Sequence, residues 1–269
     1  MLSPFEVLFE ADNLPDYPLP VDLKHLYGRL GFPAQVVYAN FVSSIDGVVT
    51  LGSKPSAGSV ISGKNQADRF LMGLLRACAD AVVLGAGTLR GTPGHLWTPA
   101  HVFPSLATEF TALRSALGRS AEPTLVVLTA SGELDFGHPA LARSAIVMTT
   151  STGAKKIGDR LPSPCELVVM GKGKSLDIRK AVGELRDRGL EVLLSEAGPH
   201  MTGQLVGEGL LDEVFLTLSP VLAGRGKEKR LGMVEGIELL PANGVWSKML
   251  SARQHEDYLF LRYRIGKSR

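Results

Sequence analysis

A series of short segments, apolar at nearly every position, constrains this chain more than any other feature. They are QVVYANFVSS (35–44), ADAVVLGAG (79–87), TLVVLTA (124–130), SAIVMTT (144–150), ELVVMGK (166–172), LEVLLSEAG (190–198) and DEVFLTLSPVL (212–222). A strand with one face in water alternates apolar and polar residues; a strand buried on both faces is a continuous apolar run. Helix-length segments separate several of these runs, most clearly Ser175–Arg188 and Pro199–Gly207. The pattern predicts an α/β domain with a mostly parallel sheet covered on both faces. A last strand is expected over Asp257–Arg264.

The first long helix has its own signature. Asn65 stands as a cap with Asp68 three residues on, and Phe70, Leu71, Leu74, Leu75 and Cys78 recur at helical spacing. Residues 1–34 read as an N-terminal extension: Pro4, Pro15, Pro18, Pro20 and Pro33 interrupt it, and only Val21–Leu30 has room for a short helix. Residues 35–269 then form one domain without internal repeats, and Gly91–Phe103, rich in Gly, Pro and His, is the expected functional loop.

Composition narrows the class. A net charge of +2 with 45% hydrophobic residues gives no basic surface for nucleic acid or membrane. The first residues carry acids and prolines in place of a basic segment and an apolar run, so no signal peptide is expected, and no segment has bilayer-spanning length. Cys78 and Cys165 lie far apart with no CxxC spacing, which fits a reducing cytoplasm. His25, His95, His101, His138, His200 and His255 form no HxxxH or HExxH pair, so no metal is expected.

Two strand ends run into glycines. In AVVLGAGTLRGTPG the glycines are Gly85, Gly87 and Gly91, one residue too widely spaced for G-x-G-x-x-G, and the nearest acid, Glu109, sits in a helix-like segment. This is not the Rossmann fingerprint. Glycine after a parallel strand still lets backbone N–H groups approach a phosphate, with Thr88 and Arg90 beside it; a tight strand exit is the other reading. LLSEAGPHMTGQLV repeats the design, with Ser195-Glu196-Ala197-Gly198 followed by Pro199 at a first helical position. Glu196 ends a strand where an unpaired carboxylate is costly to bury, so it is a candidate site residue. Asp46 is the other carboxylate of interest: Asp46-Gly47 reads either as a turn or as a cleft-mouth group that orients a ring or relays a proton.

Other chemistries fail on spacing. GKGKS, Gly171–Ser175, has Val168 where a Walker loop needs glycine, and there is no G-x-S-x-G elbow.

Taken in order, NFVSSIDG, LLRACADAVVLGAGTLR and VLLSEAGPHMTGQLVGEGLLDEVFLTLSPVLAGRG resemble the reductase domain of the bifunctional riboflavin-biosynthesis deaminase–reductase, from about Gln35 to the C-terminus. The resemblance implies a dihydrofolate-reductase-like, three-layer α/β/α fold with a mixed, mostly parallel sheet. It implies an NADPH-dependent, homodimeric reductase that transfers hydride to a C=N or ring-opened sugar carbon of a phosphoribosylaminopyrimidine. Carried over by motif, Gly85, Gly87, Thr88, Leu89, Arg90, Ser195, Ala197 and Gly198 would hold the cofactor, with Asp46 and Glu196 on the substrate side. Arg90, Lys172 or Lys174 could pair with a 2′-phosphate. Alternatives are a dihydrofolate (pterin) reductase and a non-catalytic NADPH-binding regulatory protein.

The chain also departs from the pattern of the family it resembles. The segment that usually reads A-D-N-P-x-L-t-x-R after the GAGT turn is here Arg90–Pro99, without the Asp, Asn or distal Arg. The family lysine on the first strand is missing, with Asn40 near its place, and two isolated cysteines cannot supply the zinc ligands of a deaminase domain.

Overall fold

A computed structural model of the chain describes residues 2–52, 57–173 and 175–266. In chain order its elements are β1 (Glu6–Glu10), α1 (Val21–Tyr27), β2 (Val36–Ser44), α2 (Ala57–Ile61), α3 (Gln66–Cys78), β3 (Ala81–Gly85), α4 (Ala86–Gly91), α5 (Pro99–Val102), α6 (Ala107–Ala116), β4 (Thr124–Thr129), β5 (Ile146–Thr149), α7 (Ser151–Ile157), β6 (Glu166–Val169), α8 (Ile178–Asp187), β7 (Val192–Ser195), α9 (Pro199–Gly207), β8 (Glu213–Ser219), β9 (Ser247–His255) and β10 (Tyr258–Ile265). The described strands form one sheet in the order β1-β9-β10-β8-β2-β7-β3-β4-β5-β6. From β8 to β6 every pairing is parallel; β10 meets β8 and β9 antiparallel, and β1 meets β9 antiparallel.

The continuous apolar runs are explained by burial on both faces. Along β3, Val82 and Leu84 enter the core under α3 and α6, whereas Ala81 and Val83 enter the core under α8 and α9. The same alternation divides Val127 from Val126 and Leu128 in β4. The result is the expected three-layer α/β/α architecture with a mixed, mostly parallel sheet. Among the described residues no helix is long and apolar enough to cross a membrane.

Two strands escape the apolar-run criterion. β9, SKMLSARQH, mixes charges with apolar residues, and its Arg253 is buried over the Tyr27 ring, 4.2 Å from the centroid, while bonding Glu10. β1 lies inside the proline-broken segment. The described part of that segment, residues 2–34, is thus built into the domain and not appended to it: β1 extends the sheet, and Phe5, Leu23, Tyr27, Leu30 and Phe32 belong to the main core. Phe5 contacts Phe260 at 4.7 Å between ring centroids, joining the amino-terminal segment to the last strand.

Helix α3 begins as the sequence predicts, with Asn65 Oδ1 accepting from the N–H groups of Ala67 (2.8 Å) and Asp68 (3.1 Å). The reciprocal half of the capping box is absent. The Asn65 N–H donates to the Ser62 carbonyl, which leaves the Asp68 carboxyl for another use.

Candidate active site

A cleft of about 1040 Å³ opens at the carboxyl ends of β2, β3, β4 and β7. This is where open parallel sheets bind ligands, and the volume lies at the upper end of the range for ligand pockets. Its walls include both glycine turns. Gly85, Gly87, Thr88 and Arg90 come from the end of β3 and from α4; Glu196, Ala197 and Gly198 come from the turn between β7 and α9. The parallel pairing of Val83 with Ser195 brings these two strand ends side by side.

The fit to a dinucleotide can be judged at the glycines. A Cβ added at Gly87 or Gly198 would meet nothing within 4 Å, and neither residue has a left-handed φ. Neither protein packing nor backbone strain accounts for glycine there, and the free space admits a phosphate against the backbone. Gly198 is the N-cap of α9 and supplies no side chain to its first amides, so the positive end of that helix faces the cleft. Arg90 lines the rim with its guanidinium donating to the Glu133 carbonyl at 2.6 Å. Lys172 is absent from the cleft wall, and Lys174 lies outside the described residues.

Three of the expected site residues lie elsewhere. Leu89 is fully buried in the main core. Ser195 is also buried; its Oγ has no hydrogen-bond partner among the described residues, and it borders a separate void of about 10 Å³ with Ile178, Met201 and Leu205. Asp46 is committed to the protein. Its carboxylate accepts from the Ser44 hydroxyl (2.7 Å) and from the N–H groups of Ala223 (2.9 Å) and Gly224 (2.8 Å). These bonds, the Ser44 hydroxyl first, hold its pKa down at about 2, so it carries no proton near neutrality.

Glu196 is on the cleft wall but is bound on both oxygens. Arg76 Nε and Nη2 each donate to it at 2.7 Å, a bidentate pair whose guanidinium is 1% exposed. The same guanidinium reaches the carbonyls of Leu96 (3.3 Å) and Thr98 (3.4 Å) and His95 Nε2 (3.0 Å). Arg76 therefore braces the strand end at Glu196 against the loop that follows α4.

The sequence reading missed the group at the cleft floor. Asp68 is 4% exposed and borders the cleft; burial pushes its carboxyl up to about 6, against the lowering influence of the Thr217 and Ser62 hydroxyls. Near it Asn40 lines the cleft with an Oδ1 that has no partner among the described residues. The signal for Asp68 was an acid at the third position of a helix whose cap turned out to be one-sided. The signal for Arg76 was a charge on the apolar side of α3.

A model of the RibD C-terminal domain family matches residues 35–247. Among solved structures, a pyrimidine reductase-like protein from Corynebacterium diphtheriae superposes with a TM-score of 0.70 at 22% identity, covering 90% of this chain and 98% of that one. RibD of Acinetobacter baumannii gives 0.65 at 19% identity, over 86% of this chain and 58% of that one. The riboflavin biosynthesis reductase Rib7 of Saccharomyces cerevisiae gives 0.57 at 16% identity, over 89% and 94%. These structural likenesses are likenesses of fold.

Proposed function

The chain belongs to the RibD C-terminal domain family, and from that premise we propose that it is an NADPH-dependent reductase acting on a riboflavin-pathway pyrimidine of the 5-amino-6-(5-phosphoribosylamino)uracil type. The observation that carries this reading is the meeting of two glycine turns, at Gly85–Thr88 and Ala197–Gly198, on one cleft with a protonatable carboxyl, Asp68, at its floor.

A bound reduced nicotinamide nucleotide supplies the hydride. Gly87 and Gly198 leave room for its phosphates, the start of α9 favours their charge, and Arg90 stands at the rim for a 2′-phosphate. The chain must also provide a proton when a C=N bond or an opened sugar carbon is reduced. Asp68 is the group suited to that step, because a carboxyl at about 6 holds a proton in a useful fraction of molecules near neutrality. Asp46 is not: its oxygens are occupied by Ser44, Ala223 and Gly224. Glu196, held by Arg76 at both oxygens, positions the strand end. The homodimer and cytoplasmic setting implied by the resemblance belong to the same proposal.

The test is to titrate the purified chain with NADPH and NADH by fluorescence, then to follow NADPH oxidation with the phosphoribosylaminouracil and with dihydrofolate. Tighter binding of NADPH than NADH and turnover of the pyrimidine are expected. Binding of neither nucleotide overturns the proposal; turnover of dihydrofolate alone reassigns the substrate to a pterin.

A further inference from the structure

The loop following α4 is where the sequence leaves its family, and it contains a histidine whose protonation is fixed by a neighbour. His95 borders the cleft, and its Nε2 lies 3.0 Å from Arg76 Nη2. A guanidinium has donors only, so His95 Nε2 must accept. The ring is then neutral and its one proton resides on Nδ1. Among the described residues Nδ1 has no hydrogen-bond partner.

His138, in the same cluster, makes the contrast. Its Nε2 lies 3.0 Å from the Thr92 carbonyl, which can only accept, and its Nδ1 accepts from the Ala140 N–H at 3.2 Å. His138 is neutral in the opposite tautomer, with both nitrogens used inside the protein. Of these two, it is His95 that keeps a donor for something else. Its surroundings hold it in place: the Trp97 ring at 5.0 Å and the His101 ring at 4.9 Å both meet it edge-on.

We propose that His95 is a substrate-recognition residue, locked by Arg76 as an Nδ1–H donor and presenting that proton to a carbonyl oxygen or unprotonated ring nitrogen of an uncharged heterocycle. The assignment rests on the reductase reading for the presence of such a ring in the cleft. Burial, the largest cause, together with Arg76, His101, His138 and Arg69 pushes its pKa down to about 3, and the nearby carboxylate of Glu196 is engaged by Arg76 on both oxygens. His95 consequently remains a neutral donor across the working pH range and does not become a cationic phosphate ligand. Selection by ring hydrogen bonding then replaces, at this position, the Asp, Asn and Arg that the family segment would carry.

Two measurements on the full chain decide the matter. In long-range ¹H–¹⁵N spectra of the wild-type protein, His95 is expected as the Nδ1–H tautomer with shifts that do not move between about pH 8 and pH 5, through the ordinary histidine titration. Addition of 5-amino-6-(5-phosphoribosylamino)uracil is expected to shift the Nδ1 resonance. The variant His95→Met keeps a weak thioether acceptor for Arg76 and carries no N–H donor. It is expected to weaken pyrimidine binding about tenfold, as for one lost hydrogen bond, with thermal midpoint and NADPH affinity unchanged. A proton on Nε2, a titration near pH 6 as for an ordinary histidine, or wild-type affinity in His95→Met overturns the proposal. If the pyrimidine binds without moving His95, this inference alone falls. If the wild type does not bind the pyrimidine at all, this inference and the reading beneath it fall together.

Discussion

The two ends of the parallel sheet treat polar groups in opposite ways. At the amino end Asp80, Asp212 and Arg114 are tied into the fold. Asp80, just before β3, accepts from the amides of Glu191 (3.0 Å) and Val192 (2.8 Å) and from Arg119 Nε (2.6 Å). Asp212 accepts from the Val37 N–H at 2.8 Å. The buried Arg114 donates to the carbonyls of Arg76, Ala77 and Ala79 at the end of α3. At the carboxyl end, polar capacity is left over: Asp68 is kept partly protonated by burial, Asn40 Oδ1 is unpaired, and His95 Nδ1 retains its proton. What sets the carboxyl end apart is that Asp68, Asn40 and His95 all line one large cleft, where a ligand can take up their spare polar capacity.

The sharpest way to break this contrast is Asp68→Asn. Turnover is expected to fall about 10²- to 10⁴-fold, the usual worth of a general acid, with the NADPH dissociation constant unchanged. The variant should also be more stable at alkaline pH. Because the folded carboxyl is raised from its ordinary 3.8 to about 6, the folded state holds a proton that the unfolded chain has lost between those values. Wild-type stability therefore falls as pH rises through that window and is flat above it, a loss on the order of 3 kcal/mol that urea titrations of Asp68→Asn should not display. Wild-type kcat/KM is expected to decline above about pH 6 with ionisation of the same group.

At the opposite end, Asp80→Ala should cost about 3 kcal/mol in urea denaturation, because Arg119 and two strand amides lose their partner. NADPH affinity of the protein that remains folded should be unaffected; a change in affinity without a change in stability would erase the distinction between the ends. A smaller effect is expected from Gly198→Ser. Serine is a good N-cap, so the melting temperature should hold, while the added side chain weakens NADPH about tenfold at calorimetric titration. The smallest concerns Ser195→Ala, which removes an unpartnered hydroxyl from an apolar void. Stability should rise by less than about 1 kcal/mol with no effect on nucleotide binding; weaker binding would return Ser195 to the site.

The sheet was legible because burial on both faces leaves a mark in every residue of a strand, as in AVVL or TLVVL. The edge strands were not, since β9 depends on Arg253 finding Glu10 and Tyr27 far away in sequence. The glycine turns were legible from local chemistry. The groups that distinguish the site were not, because their meaning lies in partners: Arg76 is defined by Glu196, 120 residues on, and Asp46 by amides at Ala223 and Gly224. Asp68 was visible as a helix-start acid, and only the one-sided cap released it for chemistry.

The pairing of β1 with β9 fixes a schedule for biosynthesis. Residues 6–10 leave the ribosome long before their hydrogen-bonding partner, which begins at Ser247. Val7, Leu8 and Phe9, still 51%, 48% and 45% exposed in the finished protein, must wait for almost the whole domain to be translated. Such distant contacts are slow to form and leave an apolar strand open to other chains meanwhile. Nascent chains halted before Ser247 should be cut by protease near β1, whereas chains released beyond Ile265 should resist.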